Sequence, residues 1–315
     1  MRFHAILFVR DEGDIIRQSL EHNCKWADQI YVFDTGSTDE TWETVLECSH
    51  VLRQIIPFRK QAVWFHDNLR AMVFNEFRGG SDEGDWWVRL DADEFYHVSP
   101  REFVKTLASH ETAIYHAYYN FRLTREEIAA CKTREDVLAD RSRPMAERRR
   151  FYQLGFGYSE PRFFRYRRSM RWPMNTYGPY NAGFASPRRI PIRHYQERDS
   201  LQLAVRYRLR HAMMSPGAPF YDSCVNDLHH WKNENWTVQL VSQTDPTLLH
   251  WDGCSPLPAC TAVNHIARGW RRSAQRLAHA ALLPILDRCR PSYAVGSTPS
   301  ALPDDVQQRL SEISR

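Results

Sequence analysis

Residues 86–94 have the sequence Trp-Trp-Val-Arg-Leu-Asp-Ala-Asp-Glu, in which a mostly apolar run is followed at once by carboxylates. The run predicts a buried β-strand, and Asp91 indicates where that strand ends. Asp91 and Asp93 stand two residues apart, so both can reach one hard divalent cation, which in turn neutralises phosphate oxygens. Oxygen ligands of this kind favour Mg²⁺ or Mn²⁺. The stretch therefore predicts a strand that presents a metal and phosphate site.

The residues before this strand alternate short apolar runs with helical patterns. Ser37 and Glu40 have the spacing of a capping box, which predicts a helix from about Thr38, and Pro57 is expected to end a strand. The predicted strands cover residues 3–9, 30–33 and 51–56, and the predicted helices cover residues 16–24, 38–46 and 68–77. Such alternation is typical of an α/β fold with a parallel sheet.

Polar side chains follow three of these strands. Arg10, Asp34 and Asp91 each stand at or just after the end of a strand. In open parallel sheets ligands bind outside the carboxyl ends of the strands, so we expect these three residues to face one crevice.

Charge is distributed unevenly along the chain. Residues 1–100 contain 18 Asp or Glu and 10 Lys or Arg, whereas residues 101–210 contain 11 acidic and 23 basic residues. The basic segment has aromatic residues at strand spacing and no nucleic-acid-binding motif, so we expect no nucleic acid partner. Seven scattered cysteines without a CxxC pair, and no apolar run long enough to span a bilayer, indicate a cytoplasmic protein without a transmembrane segment.

The pattern changes after residue 100. A strand is predicted at Ala113 to Phe121, a charged helix at Thr124 to Asp140 and an alternating strand at Arg162 to Arg171. Helical patterns return after Asp199 and at residues 266–286, where residues 270–286 are basic on one side and apolar on the other. This last helix allows peripheral membrane contact, although packing against the rest of the chain is the commoner fate of such a helix.

Three motifs together resemble those of family 2 glycosyltransferases. They are residues 8–16 (FVRDEGDII), 32–39 (VFDTGSTD) and 88–94 (VRLDADE). The resemblance implies an inverting enzyme with a GT-A-type, Rossmann-like mixed sheet flanked by helices. It places the catalytic domain at residues 1–200, with a nucleotide-sugar half up to about residue 100 and an acceptor half at 101–200. Residues 201–315 would be a mainly helical extension.

The resemblance also implies roles for individual residues. Backbone at Val9 and Arg10 would line the nucleotide site, Asp34 would hydrogen-bond the base, and UDP would be the nucleotide of the donor. Asp91 would contact the ribose or the metal, and Asp93 would bind the metal. Further nucleotide-sugar contacts are expected at Glu12, Asn68 and Ala92. Two departures stand out, because the family often has Asn at the position of Asp11 and Arg-Asn at the position of Asp67 and Asn68.

The catalytic base is not marked by a clear acidic pair. Glu160, beside a strand start, is the first candidate, and Glu197 and Asp199 are the second. Asp199 is equally suited to be the N-cap of the following helix. His194 could complete the metal shell, although a single histidine is more often structural.

Three classes of function remain open from the sequence. The first is transfer of a sugar to a hydroxyl acceptor, which could be a carbohydrate or a lipid-linked molecule. The second is nucleotide-sugar binding without turnover. The third is a phosphatase of the haloacid dehalogenase type, in which a strand-end Asp is the nucleophile. That family expects Thr or Val where Phe95 stands, and it places the motif nearer the N-terminus.

Overall fold

The computed structural model describes residues 1–65, 69–155, 157, 159–174, 176, 178–180, 182–213, 240–259 and 270–288, with residues 301, 302, 304, 307, 308 and 312. Within these residues ten strands form one mixed sheet. Alternate residues of the first strand enter two different apolar clusters, Leu7 in one and Phe8 in the other. Helices contribute to both clusters, so the sheet is covered on both faces. The predicted α/β class with a mixed, helix-flanked sheet is confirmed.

The N-terminal part of the sheet is parallel. Its strand order is β3-β2-β1-β4, which places the first strand at the centre, where the apolar run from Phe3 to Val9 is fully buried. The strands are β1 (Phe3–Val9), β2 (Gln29–Asp34), β3 (Ile55–Lys60) and β4 (Trp86–Asp91), and the helices between them are α1 (Ile16–Asn23), α2 (Thr41–Val51) and α3 (Arg70–Phe77).

Two boundaries in this part differ from the prediction. Strand β3 starts at Ile55 and continues through Pro57, because β3 is the outermost strand and a proline there removes no hydrogen bond that the sheet needs. Helix α2 starts at Thr41 without the predicted capping box. The Ser37 hydroxyl instead accepts a hydrogen bond from the backbone N–H of Asp11 at 2.9 Å.

The middle of the chain extends the sheet. Strand β8 runs antiparallel to β4, β6 runs antiparallel to β8, and β9 joins β6 in parallel and β5 in antiparallel fashion. The elements are β5 (Glu94–Tyr96), α4 (Pro100–Lys105), β6 (Ala113–Phe121), α5 (Arg125–Ala130), α6 (Arg134–Arg141), α7 (Met145–Arg148), β7 (Phe151–Gly155), β8 (Pro161–Arg165) and β9 (Ala185–His194).

The strand predicted at Ala113 to Phe121 is confirmed as β6, but two neighbouring predictions are wrong. The single helix expected from Thr124 is divided into α5 and α6, because Thr133 and Asp136 form a second capping box that starts a new helix. The strand expected at Arg162 to Arg171 ends at Arg165.

The C-terminal part contains α8 (Ser200–Met213), β10 (Leu249–His250) and α9 (Trp270–Arg288). Helix α8 starts where the sequence predicts it, and the first residues of the helix predicted from 266 lie outside the described residues. Strand β10 pairs with β7, so this extension also adds a short strand to the sheet. Within the described residues, every helix is too short or too polar to cross a bilayer.

Candidate active site

The ends of three parallel strands lie side by side. Val9 pairs with Asp34, and Phe8 pairs with Asp91, so strand β1 separates the two acids. Two strand spacings correspond to roughly 10 Å. The polar residues that follow β1, β2 and β4 therefore share one edge of the sheet, as predicted.

Asp34 at the end of β2 is buried and held by backbone donors. Its Oδ1 accepts hydrogen bonds from the N–H groups of Gly36 at 2.8 Å and Ser37 at 2.6 Å. Burial raises the pKa of Asp34, and these two hydrogen bonds oppose the shift. Its Oδ2 is buried with no hydrogen-bond partner within the described part of the chain. A buried acceptor of this kind is satisfied when a ligand N–H approaches it.

The loops after β1 and β2 are bound to each other. The Asp11 carboxylate accepts from the N–H of Thr38 at 2.7 Å, and the N–H of Gly13 donates to Asp39 at 2.9 Å. Asp39 also accepts from the N–H of Thr41, the first residue of α2, at 3.0 Å. Asp11 has a φ of 51°, an uncommon value for a residue other than glycine. These contacts hold the two loops together as one wall of the crevice beside Asp34.

Val9 and Arg10, predicted to line the nucleotide site, are anchored to the same wall. The Val9 carbonyl accepts from the N–H of Thr35 at 3.0 Å, and an Arg10 Nη donates to the Thr35 carbonyl at 3.0 Å. Burial lowers the pKa of Arg10, while Asp11 and Asp34 oppose that shift. Arg10 therefore brings a positive charge to the edge between the two acids.

Glu12 is used to join distant parts of the chain. Its carboxylate is paired with the buried Arg198, which also contacts Asp14 at 2.6 Å. Burial raises the pKa of Glu12 to about 8, although Arg198 opposes the shift. Arg198 lies between β9 and α8, so this pairing fastens the loop after β1 to that connection.

Asp91 at the end of β4 is held by arginines. Its Oδ1 accepts from Arg70, and its Oδ2 accepts from Arg162 at 3.1 Å. Burial alone would raise the pKa of Asp91, but Arg70 and Arg162 lower it below the usual range. Arg162 also donates hydrogen bonds to the fully buried Glu94 and to the Tyr118 hydroxyl, and that hydroxyl donates to Glu94. The carboxylate oxygens of Asp91 are thus already engaged.

Asp93 faces a histidine from another strand. Its Oδ2 lies 3.7 Å from Nε2 of His194, the last residue of β9, and 3.7 Å from an Nη of Arg206 on α8. Burial lowers the pKa of His194 to about 4, so the imidazole is neutral near pH 7. Nδ1 of His194 lies 3.1 Å from Oδ1 of Asn120. A proton assigned to Nδ1 satisfies that contact and leaves Nε2 as an acceptor for the Gln196 amide, whose nitrogen lies 3.2 Å from Nε2 and 3.1 Å from Nδ1.

This arrangement fits a metal held partly by substrate. Within the described ranges no group of three or more His, Cys, Asp or Glu side chains is suited to hold a metal. Asp93 and His194 could contribute two ligands, and Mg²⁺ or a similar ion commonly completes its shell with water and substrate phosphates. Asp91, the other predicted ligand, would have to exchange an arginine for the ion.

The three candidate bases have different surroundings. Glu160 contacts Arg89 at 3.2 Å and Arg162 at 3.1 Å, and since Arg162 also binds Asp91, Glu160 belongs to the same cluster. Its side chain is 18% exposed, which leaves it accessible from the crevice edge.

The other two candidates are tied into structural contacts. Asp199 accepts from Arg141, Arg148 and the N–H of Gln202 at the start of α8, which is the arrangement of an N-cap. Glu197 is paired with Arg122 at 2.8 Å.

Several residues of the site escaped the sequence analysis. These are Arg70, Arg89, Asn120 and Arg206. Arg70 could have been found from the sequence, because it stands three residues after Asp67, the position at which family 2 glycosyltransferases often have an arginine. Asp67 and Asn68 themselves lie outside the described residues. Ala92 is buried within the apolar core between Asp91 and Asp93.

Comparisons with known proteins give only distant likenesses. No family model and no curated protein matches the chain. Among solved structures, S. aureus TarS 1–349 in complex with UDP is 14% identical over 39% of this chain and 36% of that one, with a TM-score of 0.28. A second structure of S. aureus TarS 1–349, described without UDP, is 11% identical over 76% of this chain and 73% of that one, with a TM-score of 0.31. Glucosyl-3-phosphoglycerate synthase from Mycobacterium tuberculosis with phosphoglyceric acid is 15% identical over 43% and 51%, with a TM-score of 0.22.

Proposed function

We propose that this protein is a metal-dependent inverting glycosyltransferase that uses a nucleoside diphosphate sugar. The observation that carries the proposal is the row of strand ends. The buried Oδ2 of Asp34, which has no hydrogen-bond partner among the described residues, lies on one side of β1, and the Asp93 and His194 pair lies beyond the other side. The spacing suits a nucleotide whose base binds at β2 and whose diphosphate lies near β4.

The donor nucleotide is proposed to be UDP. The uracil ring N–H is a donor that would satisfy the unpaired Oδ2 of Asp34, and a base without that N–H would leave the buried carboxylate oxygen unpaired. The motif resemblance to family 2 glycosyltransferases favours the same nucleotide.

The charged end of the donor is proposed to lie beside Asp93. Asp93 and His194 would hold Mn²⁺ or Mg²⁺, which supplies neutralisation of the leaving diphosphate when bound. Arg206 places a further positive charge 3.7 Å from the same Asp93 oxygen. Asp91 would orient Arg70 and Arg162 and contact the ribose.

The remaining chemistry is assigned to Glu160. The acceptor hydroxyl oxygen forms a bond to the anomeric carbon while the bond from that carbon to the diphosphate breaks. Glu160 accepts the hydroxyl proton, and the nucleoside diphosphate leaves with the bonding electrons. The acceptor is a hydroxyl of a carbohydrate, a lipid-linked molecule or another alcohol.

The site geometry disfavours the phosphatase alternative. An aspartyl nucleophile attacks through a carboxylate oxygen, and the arginine contacts to both oxygens of Asp91 lower their nucleophilicity. Nucleotide-sugar binding without turnover uses the same site and differs only in the absence of transfer.

Calorimetric titration with UDP, with and without Mn²⁺, tests the proposal. We expect Mn²⁺-dependent binding in the wild-type protein and its loss in Asp93→Asn, with unchanged circular dichroism. Asp82→Asn is a matched control because the Asp82 side chain is 83% exposed and is paired with Arg2 at the surface. Equal Mn²⁺-dependent affinity in Asp93→Asn and wild type would refute the site. Release of sugar from UDP-sugars by the wild type then distinguishes an enzyme from a binding protein.

A further inference from the structure

Two C-terminal residues lie against the loop that follows β3. Ala301 forms an antiparallel bridge with Val63, and the N–H of Leu302 donates to the Ala62 carbonyl at 3.1 Å. Leu302 is 2% exposed and Val63 is fully buried, so the contact is packed as well as hydrogen-bonded. The side-chain amide of Gln307 donates to the Leu302 carbonyl at 2.8 Å, which fixes the segment further.

The same loop packs on the Asp34 turn from its other side. The N–H of Gln61 donates to the Asp34 carbonyl at 2.9 Å, and the N–H of Val63 donates to the Thr35 carbonyl at 3.3 Å. A Cβ at Gly36, whose φ is +108°, would lie 2.8 Å from the Cα of Ala62. Residues 61–63 are therefore held between the C-terminal segment and the turn that positions the Asp34 carboxylate.

We propose that the C-terminal segment at Ala301 and Leu302 completes the nucleoside side of the donor site by clamping residues 61–63 against the Asp34 turn. Leu302 is then a positioning residue, which acts on the base through the loop rather than by contact. This inference rests on the proposed function, because the ligand it concerns is the nucleoside at Asp34. A loop held by a few long-range contacts opens locally when one of them is lost, and Leu302 provides the buried side chain.

The test compares Leu302→Asp with Ala301→Asp in the full chain. Both place one carboxylate in the same bridge, but Ala301 is exposed and Leu302 is buried. We expect the affinity for UDP with Mn²⁺ to fall roughly tenfold in Leu302→Asp and to stay unchanged in Ala301→Asp. The affinity for inorganic pyrophosphate with Mn²⁺ should stay unchanged in both, because pyrophosphate has no base to place at Asp34. Leu302→Ala should give a smaller loss in the same direction if Leu302→Asp fails to fold.

Amide hydrogen exchange without nucleotide separates this inference from the proposed function. In Leu302→Asp, or in Leu302→Ala if the first variant does not fold, the N–H groups of Gln61 and Val63 should exchange faster than in the wild type. Unchanged exchange at both amides overturns the inference, whether or not the wild type binds UDP. An equal fall in UDP and pyrophosphate affinity also overturns it, since the damage would then be general. Absence of UDP binding in the wild type refutes the proposed function alone.

Discussion

The ends of β2 and β4 carry the buried Asp34 and the partly exposed Asp91, and the two acids are compensated in different ways. Asp34 is held by backbone N–H groups on one oxygen, and its other oxygen is buried with no hydrogen-bond partner among the described residues. Asp91 is held by Arg70 and Arg162 on both oxygens. Backbone N–H dipoles leave the Asp34 carboxylate able to accept a hydrogen bond from a neutral ligand group. The full positive charges of two guanidinium groups instead neutralise the charge of Asp91. The β2 end is therefore suited to recognition.

The β4 end is suited to binding and reacting with the charged part of a ligand. Because both oxygens of Asp91 accept from arginines, we expect the chemistry to fall to Asp93 and His194 on one side and to Glu160, itself paired with Arg89 and Arg162, on the other. Substitutions at β2 should thus change which donor binds, and substitutions around β4 should change turnover and stability.

The largest expected effect concerns turnover at the β4 end. Glu160→Gln should lower kcat by roughly 100- to 10,000-fold, the range typical for loss of a general base, with donor affinity unchanged. Steady-state kinetics and UDP titration on one preparation measure both quantities. Glu197→Gln is the matched control, since Glu197 is paired with Arg122 away from Asp91's arginines. If the two variants keep equal, wild-type kcat, the base lies elsewhere.

A smaller effect should separate the two acids by stability. Asp91→Asn leaves Arg70 and Arg162 buried without that carboxylate and should lower the free energy of unfolding by about 3 kcal/mol. Asp34→Asn keeps an amide oxygen for its two backbone donors and should lower it by about 1 kcal/mol. Urea unfolding of both variants measures the difference. An equal or reversed ranking would contradict the distinction between dipole and charge compensation.

A third acid that is compensated by arginines, Asp199, gives an effect that depends on pH. Burial would raise the pKa of Asp199, but the hydrogen bonds from Arg141 lower it from 3.8 to about 2. A carboxyl group with a lowered folded-state pKa stabilises the protein above its unfolded pKa and loses that effect as the pH falls through the folded value. Asp199→Asn should therefore lower the free energy of unfolding by about 2 kcal/mol at neutral pH.

That loss should shrink as the pH falls from 3.8 toward about 2. Unfolding measured across this range checks the sign, and a difference independent of pH would show that the arginine pairing does not act through the Asp199 charge. Transfer activity of Asp199→Asn at neutral pH should remain, because the geometry assigns it to the start of α8.

The parts of the fold that the sequence predicts are those with local causes. Strand β1 and helix α1 follow from an apolar run and from residues spaced along one helix face. Strand β9 was missed because its sequence contains two prolines and three arginines, and what holds it is pairing with β6, about seventy residues earlier in the chain. Sequence patterns do not display that partner.

The same division applies to the site. Asp34, Asp91 and Asp93 were predicted because strand ends mark them. Asn120 was not, because it acts through His194, which is far away in the chain. Its role appears only when β6 is placed beside β9. At Ser37 the sequence pattern was misleading. Its spacing to Glu40 predicted a capping box, but the Ser37 hydroxyl accepts a hydrogen bond from the N–H of Asp11 instead.

The pairing of Arg198 with Glu12 and Asp14 has a consequence for synthesis of the chain. The acids of the strand ends leave the ribosome first, and Arg162, His194 and Arg198 follow after more than half of the chain has been made. Domains begin to fold from the N-terminus during translation. Residues 1–100 therefore carry an excess of eight negative charges that the basic residues after residue 100 offset as they emerge, and Glu12 and Asp14 gain their buried partner only when residue 198 is released.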